Sequence, residues 1–217
     1  MPRKITTTFK MVDYVTTTTN IFANHIKPFN KNVAVIPNGI NMNHPMWQPK
    51  DVKKTDKVRV AWIGGSSHMS DLTNLKTSMN ILHNDETLRD KYQIVMCGYD
   101  VRGYMTEVDQ KNNVVGSRKM LPHETIWNNF EQIFTNNYHP KIVPEDYKKY
   151  LHKFKNEPYT GFDVYESNYV RRWTLQLTKY GEHYNYCDVC LAPLDENKFN
   201  EVKSELKIIE AGLMRKT

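Results

Sequence analysis

The sequence predicts an α/β fold in which helices flank a parallel sheet, and three segments support this prediction. The first is Val58 to Ile63, an apolar run typical of a buried strand, which leads directly into Gly64-Gly65-Ser66-Ser67. From about Ser70, leucine and methionine recur at helical spacing, and Gln93 to Cys97 is the next apolar run. A strand, a helix and a second strand in this order are typical of a parallel βαβ unit.

Further elements are predicted after this unit. Val114-Val115-Gly116 is predicted as a short third strand, and Val189 to Leu194 as a later one. Helices are predicted for Glu124 to Phe134, for Glu145 to Phe154, and from near Asn200 onward, with Val202, Leu206, Ile209 and Leu213 on one apolar stripe. Residues 159–186 are rich in aromatic side chains without a clear period, so no element is predicted there.

The chain ahead of Val58 has its own signals. Val12 to Thr16 and Val33 to Ile36 are predicted as short strands. Between them, Thr19 is a candidate N-cap for a helix that runs through Ile26 and stops before Pro28. Residues 41–56 contain two prolines and several charges with little periodicity, which indicates a connector.

Composition limits the classes of function. The 30 lysines and arginines exceed the 24 aspartates and glutamates, which gives a formal net charge of +6. This mild excess suits an anionic ligand, and its scattered distribution argues against a dedicated nucleic-acid surface. No apolar run approaches the roughly 20 residues of a membrane span, and the first residues do not resemble a signal peptide. Three cysteines cannot form a disulfide framework, so a cytoplasmic location is expected.

Gly64 and Gly65 are the first candidate ligand-binding residues. Glycine permits close approach of the backbone to a ligand, and free amide groups where a strand leads into a helix attract phosphate. The full dinucleotide-binding fingerprint and the lysine of a P-loop are both absent. A tight strand-to-helix turn without a ligand therefore remains the alternative.

The second candidate is the segment that begins near Asn200. With Asn200 as the N-cap, Lys203 and Ser204 fall in the first helical turn, where backbone amides are free. Lys203, Lys207 and Glu210 then share one stripe, which could hold a diphosphate and a ribose diol. The alternative is a solvated face that carries a Lys207–Glu210 pair.

At these residues the chain resembles the donor-binding half of GT-B glycosyltransferases. The segment 191–212 is similar to the donor-site signature of that family. The matching residues are Leu191-Ala192-Pro193-Leu194, Phe199-Asn200, Lys203-Ser204, Leu206-Lys207 and Glu210-Ala211-Gly212. Three more segments resemble parts of that family and occur in the same order along the chain. Asp13 to Thr19 resembles the end of the acceptor domain, and Val35-Ile36-Pro37-Asn38-Gly39-Ile40 resembles the strand before the linker. Val60 to Gly65, with Asp71, resembles the opening of the donor domain.

The resemblance implies a Rossmann-like donor domain at 57–217, a linker at 45–56 and a tail of the acceptor-side domain at 1–44. It also implies transfer of a sugar from a UDP-, GDP- or other nucleoside diphosphate sugar to an acceptor that the sequence does not identify. Glu210 would hold the ribose, and Lys203, Ser204, Lys207, Gly64 and Gly65 would serve the diphosphate. No cofactor is implied. The chain contains no Asp-x-Asp pair for a metal, so a metal-independent site is expected.

Several points stay open. Position 202 is Val where many retaining members have Glu, so stereochemistry and catalytic residues are not assigned. The last helix has no strand after it, so the domain is expected to be incomplete at its C-terminus, and the fragment alone is expected to be inactive. A non-catalytic nucleotide- or sugar-binding module and a basic interaction protein are the alternatives. Oligomeric state is not predicted.

Two weaker signals have ordinary explanations. Cys187 and Cys190 could suggest a metal or redox site, but on one strand their thiols would point to opposite faces, as expected of small core residues. Trp127 and Trp173 could stack on a base or sugar, although such aromatic side chains more often fill a core.

Overall fold

The structure is a computed structural model that describes residues 3–52, 54–100, 103–120, 124–136, 163–165 and 167–217. These residues form nine β-strands: β1 Val15–Thr17, β2 Val33–Val35, β3 Val58–Ile63, β4 Tyr92–Tyr99, β5 Tyr104–Val108, β6 Val114–Lys119, β7 Val164–Tyr165, β8 Tyr169–Trp173 and β9 Val189–Leu191. They also form seven α-helices: α1 Arg3–Met11, α2 Asn20–Ile26, α3 Met69–Thr73, α4 Lys76–Asn84, α5 Ile126–Thr135, α6 Lys198–Glu201 and α7 Leu206–Leu213.

A five-stranded sheet in the order β7-β8-β4-β3-β9 forms the centre of the fold. Strands β8, β4, β3 and β9 are parallel, and β7 is antiparallel to β8 at the edge. The chain runs from β3 outward to β4 and β8, and then returns to the other side of β3 to form β9. The direction of strand addition therefore reverses between β3 and β9, and both strands point their carboxyl ends to the same edge.

Both faces of this sheet are covered, which explains its apolar strands. Ile94 and Met96 of β4 pack with α3, α4 and α5 on one face. Val95 and Cys97, the alternate residues of the same strand, pack on the other face with α7 and a 3-10 helix, Tyr180–Tyr186. The predicted α/β class with a helix-flanked parallel sheet is confirmed.

Charge is also buried in this core. Arg171 of β8 donates to both carboxylate oxygens of Glu131 on α5, at 2.5 and 2.7 Å, and Tyr169 donates to the same carboxylate at 2.9 Å. The Arg171 guanidinium also lies 4.1 Å from the centre of the Tyr99 ring. Burial lowers the pKa of Arg171, but Glu131 raises it by more, so the guanidinium stays charged. The pair fixes β8 against α5.

The N-terminal segment forms a separate two-stranded parallel sheet, β1 beside β2, joined by α2. Thr19 caps α2 as predicted, because its hydroxyl accepts from the Phe22 amide at 3.2 Å. The connector that follows contains a 3-10 turn, Pro45–Trp47, and is not a loose linker. Trp47 is buried against Tyr180 and Tyr184, with ring centres 5.6 and 6.2 Å away.

Several predicted elements differ in the structure. The single helix expected from Ser70 is two helices, α3 and α4, with a break at Asn74–Leu75. The strand predicted at Val114 is present as β6, but it lies outside the parallel sheet. Asp109 accepts from the Lys111 and Asn113 amides and turns the chain into the antiparallel hairpin β5–β6. The strand at Val189 ends at Leu191. The predicted helix at 145–154 lies outside the described residues.

Sequence reasoning did not predict β8, an interior strand of the central sheet. Its residues alternate between the two faces: Tyr169, Arg171 and Trp173 face α5, whereas Val170 packs on the opposite face. Two adjacent arginines conceal this apolar pattern in the sequence.

Replacement of Glu131 by Gln should destabilise the fold by about 3–5 kcal/mol, because it leaves the Arg171 charge buried without its counterion. Urea unfolding of the two proteins measures this difference. Lys50→Gln is the control, since Lys50 is half-exposed and its pair with Glu182 should contribute less than about 1 kcal/mol. If both substitutions lower the free energy of unfolding by the same amount, the buried pair stabilises the fold no more than an exposed one.

The free energy of unfolding should depend on pH through His183, which is buried and whose Nδ1 has no hydrogen-bond partner in the described part of the chain. Burial, with the nearby charges of Arg172 and Lys207, lowers the pKa of His183 from 6.5 to about 3. Below pH 6.5 the unfolded chain takes up a proton that the folded chain does not. The folded state should therefore lose roughly 2 kcal/mol between pH 7 and 5.

The test compares urea unfolding at both pH values for the protein and for His183→Gln, which cannot take up this proton. The protein should lose roughly 2 kcal/mol more than the variant on acidification. His25→Gln, at an exposed histidine, should leave the pH dependence unchanged. A parallel loss in the protein and in His183→Gln would contradict the assignment.

Candidate ligand site at the carboxyl edge of the sheet

The turn after β3 is shaped by two close contacts of glycine backbone. A Cβ on Gly64 would overlap the Trp62 indole, so only glycine fits there. Gly98 of β4 has φ of 102°, and a Cβ on it would overlap the Gly64 carbonyl oxygen. In contrast, a Cβ on Gly65 would have no atom within 4 Å. The backbone at Gly65 is therefore open to a molecule that approaches from outside.

A pocket of about 510 Å³ opens at this turn. Gly64, Gly65 and Ser66 form one part of its wall, and Asp100, Trp127 and Thr174 contribute to the rest. Its volume lies within the range of small-molecule sites. The wall combines an aromatic ring, a carboxylate and hydroxyl groups, which are groups that can contact both a ring face and the hydroxyls of a ligand. Trp127 thus belongs to the core and to the pocket at once.

Asp71 of α3 connects this turn to the segment after β9. Its buried carboxylate accepts from the Asp195 amide at 2.8 Å, from the Asn200 side-chain amide at 2.7 Å and from Nδ1 of His68 at 2.7 Å. Burial raises the pKa of Asp71, but these hydrogen bonds outweigh it and lower the pKa below 3.8. Asp71 is therefore ionised and holds together the segments that follow β3 and β9, where the strand order reverses.

Lys203 lies beside this carboxylate. Its Nζ is 3.7 Å from Oδ2 of Asp71 and 4.8 Å from the centre of the Phe199 ring, and its side chain is one quarter exposed. Ser204, the next residue, accepts a hydrogen bond from the side-chain amide of Asn38 at 2.5 Å. The structure thus brings the segment after β2 to the segment after β9.

Lys207 and Glu210 form a separate group on α7. The Glu210 carboxylate is buried, and the hydroxyls of Tyr180 and Tyr184 donate to it, the second at 2.7 Å. Lys207 donates to it at 3.1 Å and lies over the Tyr180 ring. Burial raises the pKa of Glu210 to about 7. The Lys207–Glu210 pair therefore exists, but its carboxylate faces the interior and not solvent.

The helix that carries these residues begins later than predicted. Asn197, and not Asn200, is the N-cap of the short helix α6, where its side chain accepts from the Asn200 amide. Asn200 instead donates its side-chain amide to Asp71. Lys203 and Ser204 consequently lie between α6 and α7, outside any helical turn. The expected common helical stripe of Lys203, Lys207 and Glu210 is reduced to Lys207 and Glu210.

Sequence reasoning missed several residues of this edge. Asp71 was already named in the resemblance, but His68 was not. The two residues are three positions apart, a spacing that brings side chains together at the start of a helix, and this signal could have identified His68. The roles of Asn38, Tyr180 and Tyr184 depend on contacts with residues 26 to 166 positions away and have no local signal.

The two nearby cysteines do not diverge as predicted. Cys187 precedes β9, so only Cys190 lies on the strand. The neighbouring Cys190 thiol, together with burial, raises the pKa of Cys187. No group of three or more histidine, cysteine, aspartate or glutamate side chains in the described ranges could hold a metal ion.

Protein-family models, curated proteins and solved structures were each compared with the chain, and none of the three comparisons found a match. Among the residues that the structure describes, every helix is too short or too polar to cross a bilayer. The candidate site is consequently defined by its position in the sheet and by its contacts.

Substitution of Asp71 by Asn should cost about 2–4 kcal/mol of folding free energy, because three hydrogen bonds lose their charged acceptor in a buried place. Urea unfolding again gives the measurement. Asp85→Asn is a matched control, since the Asp85 carboxylate accepts from Thr87 in an exposed turn and its loss should cost less than about 1 kcal/mol. If Asp71→Asn is no more destabilising than Asp85→Asn, Asp71 does not join the two segments.

Proposed function

We propose that this chain binds a nucleoside diphosphate sugar at the carboxyl edge of its sheet and forms the donor-binding part of a GT-B glycosyltransferase. The observation that carries the proposal is the position of the Gly64–Gly65 turn. It follows the strand at which the sheet order reverses, and it lines the pocket. In open α/β sheets, ligands bind in the crevice outside the carboxyl ends of the strands at such a reversal.

The strand order supports a Rossmann-like assignment. Numbered along the chain, the four parallel strands β8-β4-β3-β9 follow the order 3-2-1-4, which is typical of nucleotide-binding α/β sheets. The fold alone does not identify a reaction, because many activities share this architecture. Glycosyl transfer therefore depends on the resemblance of the donor-site segments together with the geometry of the edge.

The charges of the edge fit a diphosphate. Lys203 offers an ammonium group that is partly exposed and close to the reversal point. Gly65 leaves its backbone open, so that its amide can approach phosphate oxygens without a side chain between. The Gly64 amide donates to the Cys97 carbonyl at 3.4 Å, so Gly64 serves the site by holding the turn close to β4. Fixed donors and a lysine can stabilise a leaving diphosphate without a metal. In this proposal Ser204 and Lys207 add further contacts.

The pocket fits the sugar. Trp127 offers an apolar ring, and the Asp100 carboxylate and the Thr174 hydroxyl are groups that hydrogen-bond to sugar hydroxyls. The ribose role that the resemblance implies for Glu210 stays a prediction, since this carboxylate faces Tyr180 and Tyr184 in the free protein. A cytoplasmic location is part of the same proposal, because the cysteines are free thiols.

Calorimetry with UDP, GDP, UDP-glucose and GDP-mannose tests the proposal. Gly65→Ala should weaken binding of the preferred nucleotide at least about tenfold, which corresponds to roughly 1.4 kcal/mol, because its methyl group occupies the approach to the turn. Its stability should be unchanged, since a Cβ there has room in the free protein.

Gly212→Ala is the matched control, because a Cβ at Gly212 also has no atom within 4 Å and the residue is exposed on α7, outside the pocket wall. It should bind like the unchanged protein. Absence of binding by all four nucleotides at millimolar concentration, or equal affinity of Gly65→Ala, would refute the proposed site.

A further inference from the structure

His68 lies at the candidate site, between the glycine turn and α3. It follows the Gly64–Ser67 turn directly and precedes α3. Its ring lies edge-on to the Trp62 indole, with centres 5.9 Å apart, and the same indole fills the space beside Gly64. His68 and the turn that lines the pocket therefore contact the same indole.

Asp71 fixes the orientation of the His68 ring. Because the Asp71 carboxylate is ionised and can only accept, Nδ1 of His68 must carry the hydrogen of their 2.7 Å contact. The Nε2 atom is the ring nitrogen that this contact leaves for a ligand. The side chain is one quarter exposed, so solvent and small molecules reach it.

The charges around His68 favour an anion when the ring is protonated. Asp71 from α3 carries one negative charge, and Lys203 from the segment after α6 lies 3.7 Å from the same carboxylate oxygen. Asp195, after β9, contacts the cluster through its backbone amide, and its carboxylate accepts from Asn74 and Asn197. Protonation of His68 therefore adds a second positive charge beside Lys203, which makes the cluster more favourable to an anion.

We infer that His68 is a diphosphate-binding residue, which donates from a protonated Nε2 to a phosphate oxygen while Asp71 holds Nδ1. This inference depends on the proposed function and adds a residue and a pH dependence to it. Imidazole loses its charge within the physiological pH range, so affinity for the diphosphate falls as pH rises. Asp71 acts as a positioning residue in this arrangement.

A nucleoside diphosphate sugar is the suitable probe, because both of its phosphates are esterified and keep a constant charge from about pH 5.5 to 8. Calorimetry with the sugar nucleotide that binds best should give about tenfold tighter binding at pH 5.5 than at pH 8. His68→Gln should lose this dependence: it should bind about tenfold more weakly at pH 5.5, and within about twofold of the unchanged protein at pH 8.

His25→Gln removes an exposed histidine on α2 and is the control, which should keep the full pH dependence. A second measurement repeats the titration at pH 7.5 in two buffers of different ionisation enthalpy. The unchanged protein should take up about half a proton on binding, as a tenfold change in affinity over this pH range requires, and His68→Gln close to none. This readout does not depend on the absolute affinity of the variant.

The outcomes separate the two proposals. If the sugar nucleotide binds and His68→Gln keeps the same pH dependence and proton uptake, the role of His68 is wrong and the proposed function stands. If UDP-glucose and GDP-mannose fail to bind the unchanged protein at any pH, both are overturned.

Discussion

The Asp71 carboxylate is buried between the segments that leave β3 and β9, and it accepts hydrogen bonds from both. Because each donor loses water on folding, the geometry of one segment is fixed only when the other is in place. The contact also determines the course of the chain after β9: Asn200 is drawn inward, α6 ends, and Lys203 comes to lie beside the same carboxylate. The candidate site therefore depends on an anion that is itself part of the scaffold.

Local signals predicted those parts of the fold whose cause lies within a few residues. The strand β3 was predicted at its observed bounds because five of its six residues are apolar and Gly64 follows them, and Thr19 caps α2 through a contact three residues away. The strand β8 could not be found in this way. Its Arg171 is buried because Glu131, 40 positions earlier, neutralises it, and no local pattern reveals such a partner.

In the candidate site too, residues with a local cause were predicted and those with distant partners were not. Gly64 and Gly65 were identified from sequence, since a glycine pair after an apolar strand has a physical cause at that place. The helix boundary near Asn200 was wrong because a contact to Asp71, 129 positions away, outweighs a local cap. Glu210 was identified from its helical spacing and from the resemblance, but its surroundings come from Tyr180 and Tyr184 on another element. Roles that depend on two distant segments are beyond local reasoning.

Trp47 gives the connector a function that its sequence did not suggest. Its indole covers Gly181, whose Cβ position would lie 2.8 Å from the ring, and it packs against Tyr180 and Tyr184. A shortened chain that begins at residue 57 would leave this aromatic surface open to water. Exposed apolar patches of this kind promote aggregation. The smallest soluble unit of this protein should therefore begin upstream of Trp47 and include the segment that the sequence assigns to a linker.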